Sequence, residues 1–181
     1  KHETCKEFQF LHQGTERTYL VHHPDQNKLQ ACPVLFILHG GGGTAKGMIR
    51  LTNGRFNELS DKEGFIAVYP QGVDKGWNDG RKGDFSTAIT DEIDDTGFFM
   101  KMIEALVKNY HIDTSKIFTC GISNGGFMSA RLACDLSPTI KGAAIITATR
   151  GEDYFPLCTP SHKVKILIMN GTADPLVPYE G

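Results

Sequence analysis

The sequence predicts an α/β fold in which helices flank both faces of a mostly parallel central sheet. Apolar runs at 33–38 and 64–69 suit strands that are buried on both faces. Helical spacing of apolar residues alternates with such runs, and this alternation implies right-handed crossovers between parallel strands. The length of 181 residues suits a single domain over 1–181.

An antiparallel hairpin is predicted at the amino-terminal end. Residues 7–12 and 17–22 alternate in the manner of strands, and Gly14 lies in the turn between them. Adjacent residues of a strand point to opposite faces, so the pair His22 and His23 does not indicate a metal site.

Two helices stand out between the strands. Residues 45–62 have spaced apolar positions, although Gly54 argues against one unbroken helix. Residues 94–110 have apolar positions three and four apart, and Asp94 and Asp95 favour a helix start. The remaining predicted elements are strands at 116–120, 143–147 and 164–169 and a helix at 127–135.

Composition excludes several classes of partner and cofactor. Nineteen basic and 21 acidic residues give a net charge of −2, which indicates neither a nucleic-acid partner nor an anionic membrane partner. No apolar run approaches the roughly 18–20 residues of a membrane helix. The five cysteines and seven histidines lack zinc spacing, so we expect no metal and no cofactor.

The first chemical motif is Gly121-Ile122-Ser123-Asn124-Gly125, between a predicted strand and a predicted helix. A serine in such a sharp turn is strained, and glycines two residues to either side avoid collisions. The helix amino end behind it favours developing negative charge. We therefore interpret Ser123 as a nucleophile; the alternative is an ordinary glycine-containing turn with an incidental serine.

The second motif is the glycine loop 40–43, which follows a predicted strand. Main-chain N–H groups of Gly41 or Gly42, together with that of Asn124, could form an oxyanion hole. Alternatives are a purely structural loop and a phosphate-binding loop, although the P-loop ending is missing. Because His39 precedes the serine in the chain, we expect it to orient this loop and not to act as the base.

The third motif places Asp174 after the strand at 164–169. A carboxylate there could accept from a histidine N–H and stabilise the imidazolium. Its alternative role is that of a turn aspartate before Pro175.

Six motifs occur in order along the chain: residues 39–45, Tyr69-Pro70-Gln71-Gly72, residues 76–81, Asp94-Asp95, residues 121–126 and residues 171–174. Together they resemble the polyhydroxybutyrate depolymerase and feruloyl esterase group of α/β-hydrolases, which is similar to carbohydrate esterase family 1. The resemblance implies a secreted or periplasmic serine esterase with a Ser-Asp-His triad, in which Ser123 is the nucleophile and Asp174 the acid. It implies that Trp77 forms a wall of the substrate pocket, the alternative being a buried anchor.

The resemblance also bears on the cysteines. It implies a bridge between Cys134 and Cys158, with two separate buried thiols as the alternative. Cys120 is expected to pack as a small hydrophobic residue.

No histidine follows Asp174, which departs from the family pattern. His162 is the nearest candidate, and we interpret it as a solvated loop residue. We expect the final strand, the histidine loop and the closing helix to lie outside this sequence, which would then be truncated at its carboxyl end.

The function predicted is hydrolysis of feruloyl, short-acyl or hydroxyalkanoate esters through an acyl-enzyme, on a small ester or an ester-bearing polymer. Alternatives are a non-catalytic binding domain that lacks the base, and a peptidase or acyltransferase on the same fold. The oligomeric state is not predicted.

Overall fold

A β-sheet runs through the computed structural model, which describes residues 5–24 and 31–179. Within these ranges the strands are β1 (Lys6–His12), β2 (Thr15–His22), β3 (Cys32–Leu38), β4 (Ile66–Pro70), β5 (Ile112–Ile122), β6 (Ile140–Ile146) and β7 (Lys165–Met169). Their order across the sheet is β1-β2-β4-β3-β5-β6-β7. The hairpin β1-β2 and the pair β2-β4 are antiparallel, and every pair from β4 to β7 is parallel.

Helices cover both faces of this sheet. They are α1 (Ala45–Leu51), α2 (Arg55–Glu63), α3 (Thr87–Thr90), α4 (Asp95–Asn109) and α5 (Asn124–Asp135), with 3₁₀ turns at Val73–Lys75 and Phe155–Leu157. The buried side chains of α4 and α5 pack on one face, and Met48 of α1 packs on the other. The predicted α/β architecture and its amino-terminal hairpin are confirmed. Across the described residues, no helix has the length and apolar character to cross a membrane.

Gly54 divides the predicted helix at 45–62 into two. It has φ 69° and immediately precedes α2, a left-handed conformation that glycine adopts without steric cost. Upstream, the Thr44 side chain accepts a 2.9 Å hydrogen bond from Gly47 N–H and caps α1.

Helix α5 begins three residues before its predicted start. The prediction began at Phe127 because Gly125 and Gly126 disfavour helix. Close packing overrides that preference, since a Cβ on Gly125 would lie 2.7 Å from Leu38 O and would collide with His39 O. The helix axis therefore approaches β3 more closely than any larger residue would permit.

The edge strand β7 is the least covered element of the sheet. Its apolar residues Ile166 and Ile168 are 48% and 55% exposed on one face, and Leu167 is 59% exposed on the other. A cavity of about 750 Å³ beside it is lined by side chains of α5, β6 and β7.

The disulfide that the resemblance implies is present in the structure. Cys134 at the end of α5 is bonded to Cys158, with the two Cα atoms 5.7 Å apart. Cys120 is buried among apolar side chains, as expected.

Candidate active site

A sharp turn between β5 and α5 presents Ser123. This residue has φ 53° and ψ −125°, a combination that costs a non-glycine residue energy. Its N–H donates to Ile146 O and its carbonyl accepts from Phe127 N–H, both at 2.9 Å. The surrounding backbone therefore holds the serine in a strained position.

The two flanking glycines have a steric cause. A Cβ on Gly121 would collide with the carbonyl oxygen of Gly125, and a Cβ on Gly125 would collide with His39 O. Glycine is thus required on both sides of Ser123, in agreement with the reasoning from sequence.

The amino end of α5 leaves main-chain donors near Ser123. The N–H of Asn124 belongs to the first helical residue, which has no carbonyl one turn earlier in the helix to bond to. The Asn124 side chain is fully used elsewhere: its Oδ1 accepts from Trp77 N–H at 2.8 Å and its Nδ2 donates to Asp79 Oδ2 at 2.6 Å. Asn124 could therefore bind an anion through its main-chain N–H and not through its side chain.

The glycine loop 40–43 lies against the serine turn. A Cβ on Gly40 would be 3.6 Å from Ser123 Cβ, and one on Gly41 would be 3.7 Å from Asn124 Cβ. Gly42 N–H already donates to Lys75 O at 2.8 Å. Gly41 N–H has no recorded acceptor among the described residues. Of the two glycines predicted as oxyanion donors, Gly41 is therefore the one whose N–H has no protein acceptor within residues 5–24 and 31–179.

His39 holds this loop in place, as expected. It is buried, its Nδ1 donates to Gly40 O at 2.8 Å, and its Nε2 accepts from Gly72 N–H at 3.0 Å. Burial lowers the pKa of His39, and the bond to Gly40 opposes this effect only in part. With both ring nitrogens occupied and the neutral form favoured, His39 is not placed to act as a base.

The interpretation of Trp77 as a pocket wall needs correction. Its side chain is 0% exposed, its Nε1 donates to His39 O at 2.9 Å, and its ring packs on His39 and Phe99. Trp77 is thus the buried anchor, and it fixes the segment that faces Asn124.

A buried ion pair below this segment was missed from the sequence. Arg17 Nη2 lies 2.5 Å from Asp95 Oδ1, and Asp95 Oδ2 accepts from Asn78 N–H at 2.7 Å. Burial raises the pKa of Asp95, and the Arg17 guanidinium opposes that rise. The sequence did contain one signal for a buried Arg17: it lies two residues before Tyr19, so both side chains point to the inward face of β2.

Asp94 and Asp95 therefore have different roles. The predicted charge at the helix start belongs to Asp94, whose side chain accepts from Gly97 N–H at 2.9 Å and caps α4. Asp95 instead connects α4 to the segment that carries Trp77.

Asp174 follows β7, and its Oδ1 accepts from Leu176 N–H at 2.9 Å and Val177 N–H at 3.0 Å. These two bonds lower the pKa of Asp174, so its carboxylate form is favoured at neutral pH. They are also the bonds of a turn aspartate.

In the described parts of the chain, no histidine has a recorded contact with Ser123 or Asp174. His162 bonds to Ser161 and is exposed.

The topology and the serine turn define the class of protein, an α/β-hydrolase. The solved structure of a thermostable esterase superposes with a TM-score of 0.74 at 20% identity, covering 98% of this chain and 49% of that one. The family model described as Esterase PHB depolymerase matches residues 17–149, and the chain belongs to this family.

Two curated relatives have the names of esterases. The bifunctional acetylxylan esterase/xylanase XynS20E of Neocallimastix patriciarum is 27% identical over 93% of this chain and 23% of its own length. Feruloyl esterase D of Neurospora crassa is 26% identical over 89% of this chain and 54% of its own length. The chain thus spans about half of one relative and about a quarter of the other.

Proposed function

We propose that this chain carries the nucleophile, the oxyanion donors and the acid of a serine esterase that hydrolyses carboxylic esters. The observation that carries the proposal is the strained turn of Ser123 at the amino end of α5, with Gly40 and Gly41 packed against it. Membership of the Esterase PHB depolymerase family supports the same activity.

In the proposed reaction, Ser123 Oγ attacks the ester carbonyl and an acyl-enzyme forms, which water then hydrolyses. The N–H groups of Asn124 and Gly41 would stabilise the oxyanion, because neither has a recorded protein acceptor among the described residues. The N–H of Gly42 is occupied by Lys75 O, so Gly42 would serve the oxyanion hole mainly by turning the loop with its φ of 74°. Asp174 would orient the base and stabilise its charged form.

We infer that the base is a histidine outside these 181 residues. His12, His22 and His39 are held by Asp94, Asp61 and main-chain groups respectively. The chain spans only about half of relatives such as Feruloyl esterase D, which leaves room for such a residue.

The acyl group would be feruloyl, acetyl or another short acyl or hydroxyalkanoate group, carried by a small ester or by a polymer. The names of the relatives, an acetylxylan esterase and a feruloyl esterase, support the first two. The Cys134–Cys158 disulfide supports a secreted or periplasmic location, because disulfides persist in oxidising compartments.

The test uses the longest product of the natural reading frame that contains this chain. Labelling by a fluorophosphonate should map to Ser123, and turnover of p-nitrophenyl acetate should fall by at least about 10⁴-fold in Ser123→Ala. Ser115→Ala changes an exposed serine near the opposite end of β5; it is the control and should keep full activity. A folded long product that is neither labelled nor active would favour the non-catalytic binding domain instead.

A further inference from the structure

A second cluster of reactive side chains lies away from Ser123. Cys5 is placed opposite His22 by the β1-β2 register, in which Lys6 pairs with Val21. His22 in turn pairs with Ala67, near the amino end of β4. The loops around Ser123 follow the carboxyl ends of the parallel strands. The cluster lies near the amino end of β4, so it is at the opposite end of the strands from Ser123.

The contacts within this cluster form a relay of three residues. His22 faces Cys5 across the β1-β2 pair, and its Nε2 lies 2.7 Å from Asp61 Oδ1 of α2. The histidine side chain is 4% exposed and the aspartate side chain 39% exposed. The imidazole thus joins the thiol to a carboxylate, in the order that a nucleophile, its base and an orienting acid require.

Further contacts fix the sulfur. Asn57 Nδ2 donates to Cys5 Sγ at 3.5 Å, and Asn57 Oδ1 accepts from Tyr69 O–H at 2.6 Å. The hydrogen bond to Cys5 is the largest cause that raises the pKa of His22; burial opposes it, and Asp61 adds to it. The imidazolium form of His22 is therefore favoured by its two neighbours, Cys5 and Asp61.

The buried cysteine Cys120 differs in the two properties that matter for reactivity. Burial raises the pKa of its thiol to about 12, and it packs among apolar side chains. Cys5, in contrast, is partly exposed and has the imidazole of His22 opposite it in the hairpin. A thiol needs both access and a proton acceptor to react quickly.

We propose that Cys5, His22 and Asp61 form a thiol-modification site at which Cys5 exchanges with low-molecular-weight disulfides. His22 takes the Cys5 proton, and the thiolate attacks one sulfur of the disulfide R–S–S–R. The bond between Cys5 and that sulfur forms as the R–S–S–R bond breaks. The leaving thiolate takes the proton from His22, so the products are a mixed disulfide on Cys5 and one free thiol, R–SH. Asp61 acts through His22 as a positioning residue.

The experiment follows the reaction of the folded, pre-reduced full chain with 2,2′-dithiodipyridine by the absorbance of the released thiopyridone. Subtraction of the Cys5→Ser trace isolates Cys5, and peptide mapping separates it from Cys134 and Cys158. The second-order rate constant for Cys5 should exceed that of glutathione and should fall by at least about tenfold in His22→Gln and about threefold in Asp61→Asn. Glu63→Gln removes the same charge from the same helix without touching the cluster and should leave the rate unchanged.

The pH profile distinguishes positioning from mere packing. The titratable groups that face the pair in the described residues are Asp61 and Tyr69. In Asp61→Asn the pH midpoint of the Cys5 rate should shift, whereas a packing defect would lower the rate equally at every pH. A Cys5 that reacts no faster than glutathione, or whose rate and pH profile survive both His22→Gln and Asp61→Asn, would overturn the proposal.

Discussion

Replacing Arg17 with methionine would leave the buried Asp95 carboxylate without its cation. The two side chains are 1% and 0% exposed. Asn78 N–H would still donate to Asp95 Oδ2 at 2.7 Å. The methionine would keep much of the packing on Phe98, whose ring centroid lies 3.8 Å from the Arg17 guanidinium carbon. The substitution therefore tests mainly the lost charge.

The expected cost follows from these contacts. Removing one partner of a buried ion pair costs about 3–5 kcal/mol, and the remaining bond from Asn78 places Arg17→Met near the lower end, at about 3 kcal/mol. Arg17→Lys should cost less, about 1–2 kcal/mol, since Nε and Nη1 of Arg17 have no hydrogen-bond partner and an ammonium can replace the single contact to Asp95.

The pH dependence has a definite sign. Burial raises the folded-state pKa of Asp95 above 3.8, and loss of Arg17 would raise it further. When the pKa of an acid is higher in the folded state than in the unfolded state, the protein loses stability as the pH rises from the unfolded-state pKa through the folded-state pKa. The penalty of Arg17→Met should therefore be full at neutral pH and should shrink on acidification toward the folded-state pKa.

Urea unfolding followed by the fluorescence of Trp77, the single tryptophan, measures this cost next to the perturbed site. Arg55→Met, which breaks an exposed pair with Glu58, is the matched control and should cost at most about 0.5 kcal/mol. The double variant Arg17→Met/Asp95→Asn should recover part of the loss. The reasoning is refuted if Arg17→Met costs no more than Arg55→Met, or if the double variant is no more stable than the single one.

Three further predictions concern stability. Ser123→Gly should stabilise the fold by about 1 kcal/mol, because glycine relieves the strained φ of 53°, whereas Ser123→Ala keeps the strain. Gly125→Ala should destabilise it by more than about 2 kcal/mol through collision with β3, while Gly14→Ala, with open space around it, should cost about 1 kcal/mol. The raised pKa of His22 contributes stability that is full below 6.5 and is lost as pH rises through the folded-state pKa, and Asp61→Asn should flatten this dependence. Urea midpoints, measured across pH for the last case, check all three.

Contrary results have clear meanings. Equal stability of Ser123→Gly and Ser123→Ala would show that the turn stores no strain. A Gly125→Ala variant as stable as Gly14→Ala would contradict the close approach of α5 to β3. A stability that rises with pH above 6.5 would contradict the direction of the His22 shift.

The parts of the fold that local pattern determines were predictable from the sequence. The hairpin, the buried strands and the helix at 94–110 follow from apolar periodicity, and the serine turn follows from glycine spacing. The start of α5 was missed because tertiary packing overrides the low helix propensity of Gly125 and Gly126.

The remaining details depend on contacts between residues distant in the chain. Trp77 and Asn124 are 47 positions apart, and Arg17 and Asp95 are 78 apart. No local pattern shows that such residues meet, so the sequence does not decide between a pocket wall and a buried anchor for Trp77 and does not reveal the ion pair. The same holds for the thiol cluster, whose members come from the chain start, β2 and α2.

The apolar edge strand β7 has a consequence for handling the protein in solution. A strand with open main-chain groups and exposed Leu167 and Ile168 can pair with the same strand of a second copy. A preparation of the isolated residues 1–181 should therefore show association that grows with concentration. A lysine in place of Ile168 should reduce this association, as light scattering of matched dilution series would show, without altering the serine turn on β5.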